Sequence, residues 1–319
     1  MTQAPYAVPE PYDEGMLDVG DGNQVYWQVR GNPGGKPAVV PHGGPGGSFS
    51  RGGFRSFDPE VYKLVMFDQR GGGSSTPHAS DPATDMRYNT TQHLIADMEL
   101  LREHLDIERW LLYGVSWGTT LGLAYAEQYP ERVSEIILAA LFGGRQRDID
   151  WLYGGAGRFY PEAWERFAAG AGVARGGDIV GAYARLVEDP DPAVREKATI
   201  DWCEWEDALL SGEEKGQAGV YINMPPLDRL ALVRICAHYF SHGAFLGDGA
   251  LIRDARRLAG IPGVMVHGRA DMGGPAEFAW DMSRAWPDCE LKVVEDSGHT
   301  GSDIWIGHIR EAVSRFGGR

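Results

Sequence analysis

The sequence predicts an α/β protein, a mostly parallel sheet with helices on both faces and one long helical insertion. Three observations carry this. Short apolar runs alternate with helix-period segments, glycine-rich loops follow several of those runs, and the rhythm is lost between residues 143 and 253 before it resumes. At 319 residues, 43% of them hydrophobic, the chain can bury a core large enough for such a sheet plus an insertion.

Residues 16–19 and 24–29 flank Asp21-Gly22-Asn23 and predict an antiparallel hairpin. Residues 38–40 and 62–67 read as short buried strands, each running into a glycine-rich loop. Leu94, Met98, Leu101 and Leu105 share one helical face, with Asn89 and Gln92 in capping-box positions ahead of it. The apolar run 110–113 predicts a strand that feeds Gly114-Val115-Ser116-Trp117-Gly118. A helix over 119–129 follows and stops at Pro130, and 134–141 reads as another buried strand.

Residues 143–253 carry Trp151, Tyr153, Phe159, Tyr160, Trp164, Trp202, Trp205, Tyr239, Phe240 and Phe245 without strand rhythm, which predicts a mostly helical cap. The alternation then returns with a strand at 263–267, a helix at 278–286, a strand at 291–294 and a helix at 304–316. The expected organisation is a core from 1–142 and 254–319 with the cap, 143–253, inserted late in the sheet. No internal repeat or low-complexity tract interrupts it.

Composition narrows the function classes. A net charge of -15 with scattered Lys and Arg argues against nucleic-acid binding, which needs concentrated positive charge. Residues 1–13 lack the basic start and apolar run of a signal peptide, and no stretch approaches membrane-spanning length, so cytoplasmic residence and no membrane partner are expected. Cys203, Cys236 and Cys289 are odd in number and widely spaced, which predicts free thiols and no zinc site.

The pentapeptide around Ser116 has the form of a nucleophile elbow, a strand–turn–helix in which flanking glycines relieve crowding around an exposed serine. Taken alone the pattern is common, so its worth depends on partners. A serine nucleophile needs a base, and the base needs an acid to hold its tautomer. Asp271 follows the strand at 263–267 and His299 follows the strand at 291–294, in the order Ser, Asp, His.

Singly, Asp271 reads as a turn residue and His299 as a surface histidine, like His42, His78, His93, His104, His238, His242, His267 and His308. Their order at the ends of separate strands favours the triad, with Glu295 and Asp296 as weaker alternatives to Asp271. Trp117 and the loop His42-Gly43-Gly44-Pro45-Gly46-Gly47 are placed to supply oxyanion-hole amides, from Trp117, Gly43 and Gly44. No Lys-Ser/Thr follows that loop, which argues against nucleotide binding. Asp68 and Arg70 read as a structural ion pair or loop anchor.

Taken together, His42-Gly43-Gly44-Pro45-Gly46-Gly47, Asp68-Gln69-Arg70-Gly71, Gly114-Val115-Ser116-Trp117-Gly118, Arg158-Phe159-Tyr160-Pro161, the run from Trp202 through Glu206, His238-Tyr239-Phe240 and Ser297-Gly298-His299 resemble the proline iminopeptidases, a branch of the α/β-hydrolase fold. The resemblance spans nearly the whole chain. It implies hydrolysis of an N-terminal aminoacyl amide through an acyl-enzyme on Ser116, without metal or organic cofactor, on a peptide or small molecule with a free α-amine. A monomer is expected.

In that family two cap glutamates receive the substrate's ammonium. The resemblance carries one over to Glu206 and places Cys236 where the other should stand, a neutral thiol for a carboxylate. It also marks Glu204, Trp205 and Tyr239 as substrate neighbours, with Glu204 and Asp207 as substitutes for the missing charge. An altered clamp under an aromatic cap resembles the amidohydrolases that strip an aminoacyl group from β-amino-acid-primed macrolactam polyketides. The other readings are an ordinary prolyl aminopeptidase, an esterase or thioesterase, an acyltransferase, and a non-catalytic binding protein.

Overall fold

The first strands are β1 (Asp13–Asp18), β2 (Gln24–Gly31), β3 (Lys36–Val40) and β4 (Tyr62–Phe67), followed by helix α1 (Thr91–His104). The central unit is β5 (Trp110–Ser116), α2 (Trp117–Gln128) and β6 (Val133–Leu141). Next come α3 (Gln146–Tyr153), α4 (Pro161–Ala171), α5 (Ile179–Leu186), α6 (Pro192–Leu210), α7 (Pro226–Ser241) and the short α8 (Ala250–Asp254). The chain then returns to β7 (Gly263–Gly268), α9 (Glu277–Ala285), β8 (Cys289–Val294) and α10 (Asp303–Gly317). These elements belong to a computed structural model, which describes residues 5–49, 53–174, 176–213, 216 and 219–318. The first four positions of the N-terminal segment read above for a signal lie outside the described residues.

The eight strands form one sheet in the order β1-β2-β4-β3-β5-β6-β7-β8. β2 runs antiparallel to β1 and β4, and all pairings from β4 through β8 are parallel. The hairpin, the strands and the flanking helices fall where the apolar runs predicted them. β5 is buried along its first five residues because parallel strands are covered on both faces. On one face Trp305, Ile309, Val313 and Phe316 of α10 pack with Phe54 and Phe57. Residues of α1, α2 and α9 cover the other face, and their apolar cluster continues into Trp164, Phe167, Tyr183, Trp202 and Trp205 of the inserted helices.

Two local expectations fail. Thr90, not Asn89, caps α1, accepting from the His93 N–H. Asn89 is occupied elsewhere: its side-chain amide donates to the Arg70 carbonyl and accepts from the Tyr239 hydroxyl. His42 and His267 are not surface histidines; both are buried. Each is needed to satisfy buried backbone, as described below.

Among the described residues no helix is long and apolar enough to cross a membrane. Cys203, Cys236 and Cys289 are free thiols.

Candidate active site

Ser116 ends β5 at a φ of 57° and ψ of -128°, a conformation that an L residue holds only under constraint from its surroundings. The two elbow glycines supply the room. A Cβ on Gly114 would lie 2.4 Å from the Gly118 carbonyl oxygen, and one on Gly118 would lie 2.3 Å from that of Pro41. The chain therefore turns sharply from β5 into α2 and presents the Ser116 hydroxyl at the carboxyl edge of the sheet.

His299 Nε2 stands 3.1 Å from Ser116 Oγ, and His299 Nδ1 stands 3.0 Å from both oxygens of Asp271. A carboxylate only accepts, so Nδ1 carries the proton and Nε2 is left to accept from the serine. Asp271 is itself fixed by the N–H groups of Gly273 at 2.8 Å and Gly274 at 3.0 Å. Burial opposes its charge, but His299 above all, with the Gly274 N–H, holds its pKa below the usual carboxylate value. For His299, burial acts downward, yet Asp271, Glu213 and Glu206 together raise it to about 9.

His267 braces the acid. Its Nδ1 accepts the Leu141 N–H at 3.0 Å, so Nε2 is the protonated nitrogen and donates to the Gly274 carbonyl at 2.9 Å. Burial lowers its pKa and keeps it neutral. The only signal for it in the sequence is its place at the end of β7.

The glycine-rich loop lies against the serine. A Cβ on Gly43 would be 3.4 Å from Ser116 Cβ, and Gly44 lines the same cavity as Ser116 and His299. The loop is held by a small network. Gln69 donates its backbone N–H to His42 Nε2 at 2.9 Å, which leaves His42 Nδ1 to donate to the Gly43 carbonyl at 2.8 Å. Gln69 also donates to the His42 carbonyl at 2.9 Å and accepts the Trp117 indole N–H at 3.0 Å. Trp117 opens α2, where the first amides have no partner within the helix.

Two cavities meet at Ser116. The smaller, about 50 Å³, is lined by Glu206 together with Phe142, Leu152, Leu209, Leu210 and Phe240. The larger, about 660 Å³, is also lined by Ser116 and Gly43, together with Val40, Met66, Tyr113 and Trp305. Glu206 Oε1 accepts from the Tyr153 hydroxyl at 2.9 Å and the Trp202 indole N–H at 2.7 Å. Burial nevertheless dominates and raises its pKa to about 7, with Asp207 adding to the rise.

The other expected substrate neighbours are not placed as the resemblance implied. Glu204 is exposed, since two residues along a helix turn it away from the side that Glu206 occupies. Trp205 is buried in the aromatic cluster, stacked on Phe167 and donating to the Leu152 carbonyl. Tyr239 is buried one layer back, edge-on to Trp117 at 5.1 Å. Asp207 is consumed by the N–H groups of Tyr221 and Ile222, both at 2.9 Å.

Cys236 is buried, and its thiol donates to the Pro45 carbonyl at 3.0 Å, tying α7 to the glycine-rich loop. Burial first, then Glu206 and Cys203, push its pKa far up, so it stays a neutral thiol.

Arg70 and Asp68 are anchors, but not to each other. Arg70 makes a two-pronged pair with Asp97 at 2.7 Å, and Asp68 accepts from the N–H groups of Phe49 at 2.9 Å and Ser74 at 2.8 Å. Glu295 pairs with Arg269 on the surface rather than with His299. Among the described residues there is no group of three or more His, Cys, Asp or Glu arranged to hold a metal ion.

A family profile for the alpha/beta hydrolase fold matches residues 36–303. The chain is 50% identical over 316 residues to a probable proline iminopeptidase of Streptomyces coelicolor, covering 98% of this chain and 97% of that one. The chain belongs to the proline iminopeptidase family. A proline iminopeptidase of Xylella fastidiosa is 42% identical, with 92% of this chain and 93% of the relative covered. The crystal structure of proline iminopeptidase from Mycobacterium smegmatis superposes with a TM-score of 0.58, covering 96% of this chain and 98% of that one at 19% identity. At that identity the likeness speaks for the α/β-hydrolase fold of the family alone.

Proposed function

We propose that this proline iminopeptidase-like hydrolase removes an N-terminal aminoacyl group from an amide, with Ser116 as nucleophile, His299 as base and Asp271 as the group that orients it. The observation that carries the reading is the small cavity lined by both the Glu206 carboxylate and Ser116 among apolar side chains. A carboxylate among apolar walls suits one acyl residue with a free ammonium, and the larger cavity suits the amine that leaves.

Ser116 Oγ attacks the acyl carbon as His299 Nε2 takes its proton. The oxyanion is received by the Trp117 amide and by the Gly43 and Gly44 loop. His299 then returns the proton to the leaving nitrogen, the C–N bond breaks, and the acyl group stays on Ser116. Water, deprotonated by His299, releases the amino acid and restores the serine. An ammonium beside Glu206 favours that carboxylate's charged form and, by offsetting its field at His299, helps the imidazole reach its neutral state. Cytoplasmic action on a soluble substrate accords with this chemistry.

With a thiol in place of the second family carboxylate, the ammonium has one charged partner. Loss of one partner of a desolvated charge pair costs roughly 2–5 kcal/mol. The departure favours a substrate other than an ordinary proline peptide, and an aminoacylated β-amino-acid polyketide intermediate is the narrower form of this reading. The test is a panel of aminoacyl anilides and N-aminoacyl β-amino acid amides, with free and N-acetylated amines, turned over by wild type, Glu206→Gln and Cys236→Glu. Expected are a preference for free amines, its loss in Glu206→Gln, and a gain on prolyl anilide in Cys236→Glu. Equal turnover of free and blocked amines by the wild type would overturn the reading in favour of an esterase or acyltransferase.

A further inference from the structure

Seven residues after Glu206, in the turn that follows α6, a second carboxylate from the inserted helices reaches the catalytic edge. Glu213 does not enter the small cavity. One of its oxygens accepts the backbone N–H of His299 at 2.7 Å. The other accepts the backbone N–H of Thr300 at 2.6 Å and the Thr300 hydroxyl at 2.6 Å. Charge-assisted bonds of this kind are short and about twice as strong as neutral ones.

Gly298 fits this contact. A Cβ there would lie 2.3 Å from Glu213 Cδ and 2.5 Å from its Oε1. The absence of a side chain at Gly298 is what lets the carboxylate close on the two amides that follow it. Asp271 holds the imidazole through Nδ1, while the main chain at His299 is held by Glu213. Serine and base come from β5 and from the loop after β8, so their 3.1 Å separation depends on that loop keeping its position.

We propose that Glu213 is a positioning residue for the reaction: its carboxylate fixes the main chain of His299 so that Nε2 stays on Ser116 Oγ, coupling the inserted helices to the base. The inference rests on the reading of His299 as base. Small displacements of a reacting group cost up to about 10²-fold in rate, so the clamp acts on kcat. The ionisable groups around His299 are Asp271, Glu206 and Glu213, with neutral His267 behind Asp271.

The test compares full-length wild type, Glu213→Ala, Glu213→Gln, Gly298→Ala, the Glu213→Ala/Gly298→Ala pair and His299→Ala on a free-amine anilide and an uncharged acyl ester. Melting temperature is read alongside. Glu213→Ala is expected to lower kcat about 10- to 100-fold on both substrates with KM within about threefold, and Gly298→Ala to do the same by displacing a carboxylate that is still present. Because both break one contact, the pair should be no worse than either alone. Glu213→Gln keeps an acceptor for the His299 N–H and should recover part of kcat, while the alkaline rise of the rate moves to lower pH as a negative charge is lost near the imidazole.

Wild-type kcat in folded Glu213→Ala, or losses that multiply in the pair, would overturn the proposal. Should Glu213→Ala fail to fold, Gly298→Ala and Glu213→Gln still decide: wild-type kcat and pH profile in both sink it. His299→Ala separates the two levels. An active His299→Ala removes the base itself, whereas an inactive one beside an unaffected Glu213→Ala removes only the clamp.

Discussion

At the residue scale the carboxyl and imidazole groups at Ser116 are coupled, and their protonation sets when the site works. In the proposed mechanism His299 must be neutral to take the serine's proton, and its pKa is raised to about 9, burial being outweighed by Asp271, Glu213 and Glu206. On an uncharged acyl ester, kcat/KM should therefore rise with pH toward about 9 and fall as pH drops below it. Glu206→Gln removes a negative charge that holds the imidazolium, so the rise should move to lower pH. A pH–rate profile of both proteins checks this, and an unmoved or upward-shifted limb in the variant would contradict it. That Ser116, Asp271 and His299 come together was legible because each sits at a strand end in a fixed order. The roles of His267, Gln69 and Glu213 were not, since these side chains bond the Leu141 N–H, the His42 carbonyl and the His299 N–H, backbone groups far away in sequence that no local pattern marks.

At the element scale, the elbow works because β5 and α2 meet with no room for side chains at two positions, whereas Gly307 has no such duty. Gly118→Ala places a methyl group 2.3 Å from the Pro41 backbone oxygen, which cannot move aside without shifting the loop that carries Gly43. It should cost about 1–3 kcal/mol of stability and most of the activity. Gly307, inside α10, has open space where a Cβ would stand, with nothing within 4 Å. Gly307→Ala should stabilise the protein by about 0.5–1 kcal/mol with kcat unchanged. Denaturant melts with parallel rate measurements distinguish the two, and a Gly118→Ala protein as stable and active as wild type would refute the packing argument. Strand and helix positions were readable because apolar runs and periodicity are local. The cap of α1 was not, because Asn89 answers to Arg70 and Tyr239, contacts that exist only after folding.

At the scale of the whole molecule, the mostly parallel sheet with helices on both faces follows from the alternation of apolar runs and helical segments, while the order of its strands and the pairing of buried charges do not. Arg70 was legible as an anchor, but its partner Asp97 lies on α1 and shows no spacing signal. Glu127, on α2, is another such group: it is buried, and one carboxylate oxygen has no hydrogen-bond partner. Burial, with Asp254 adding, raises its pKa to about 9. Between the unfolded value near 4.5 and about 9 the folded state keeps a proton that the unfolded chain releases, so stability falls as pH rises through that window. Glu127→Gln should add about 1–3 kcal/mol at pH 8 and little at pH 4, read from urea melts at the two pH values. A variant less stable at pH 8 than at pH 4 relative to wild type would contradict the assignment. The proposed reaction centres on one serine, and its acylation is the most direct measurement. An aminoacyl p-nitrophenyl ester mixed with enzyme and quenched in acid should give a burst near one equivalent of nitrophenol and an aminoacyl mass increment on Ser116, both absent in Ser116→Ala. A burst that survives Ser116→Ala, or an increment located on another residue such as Cys236, would contradict the account.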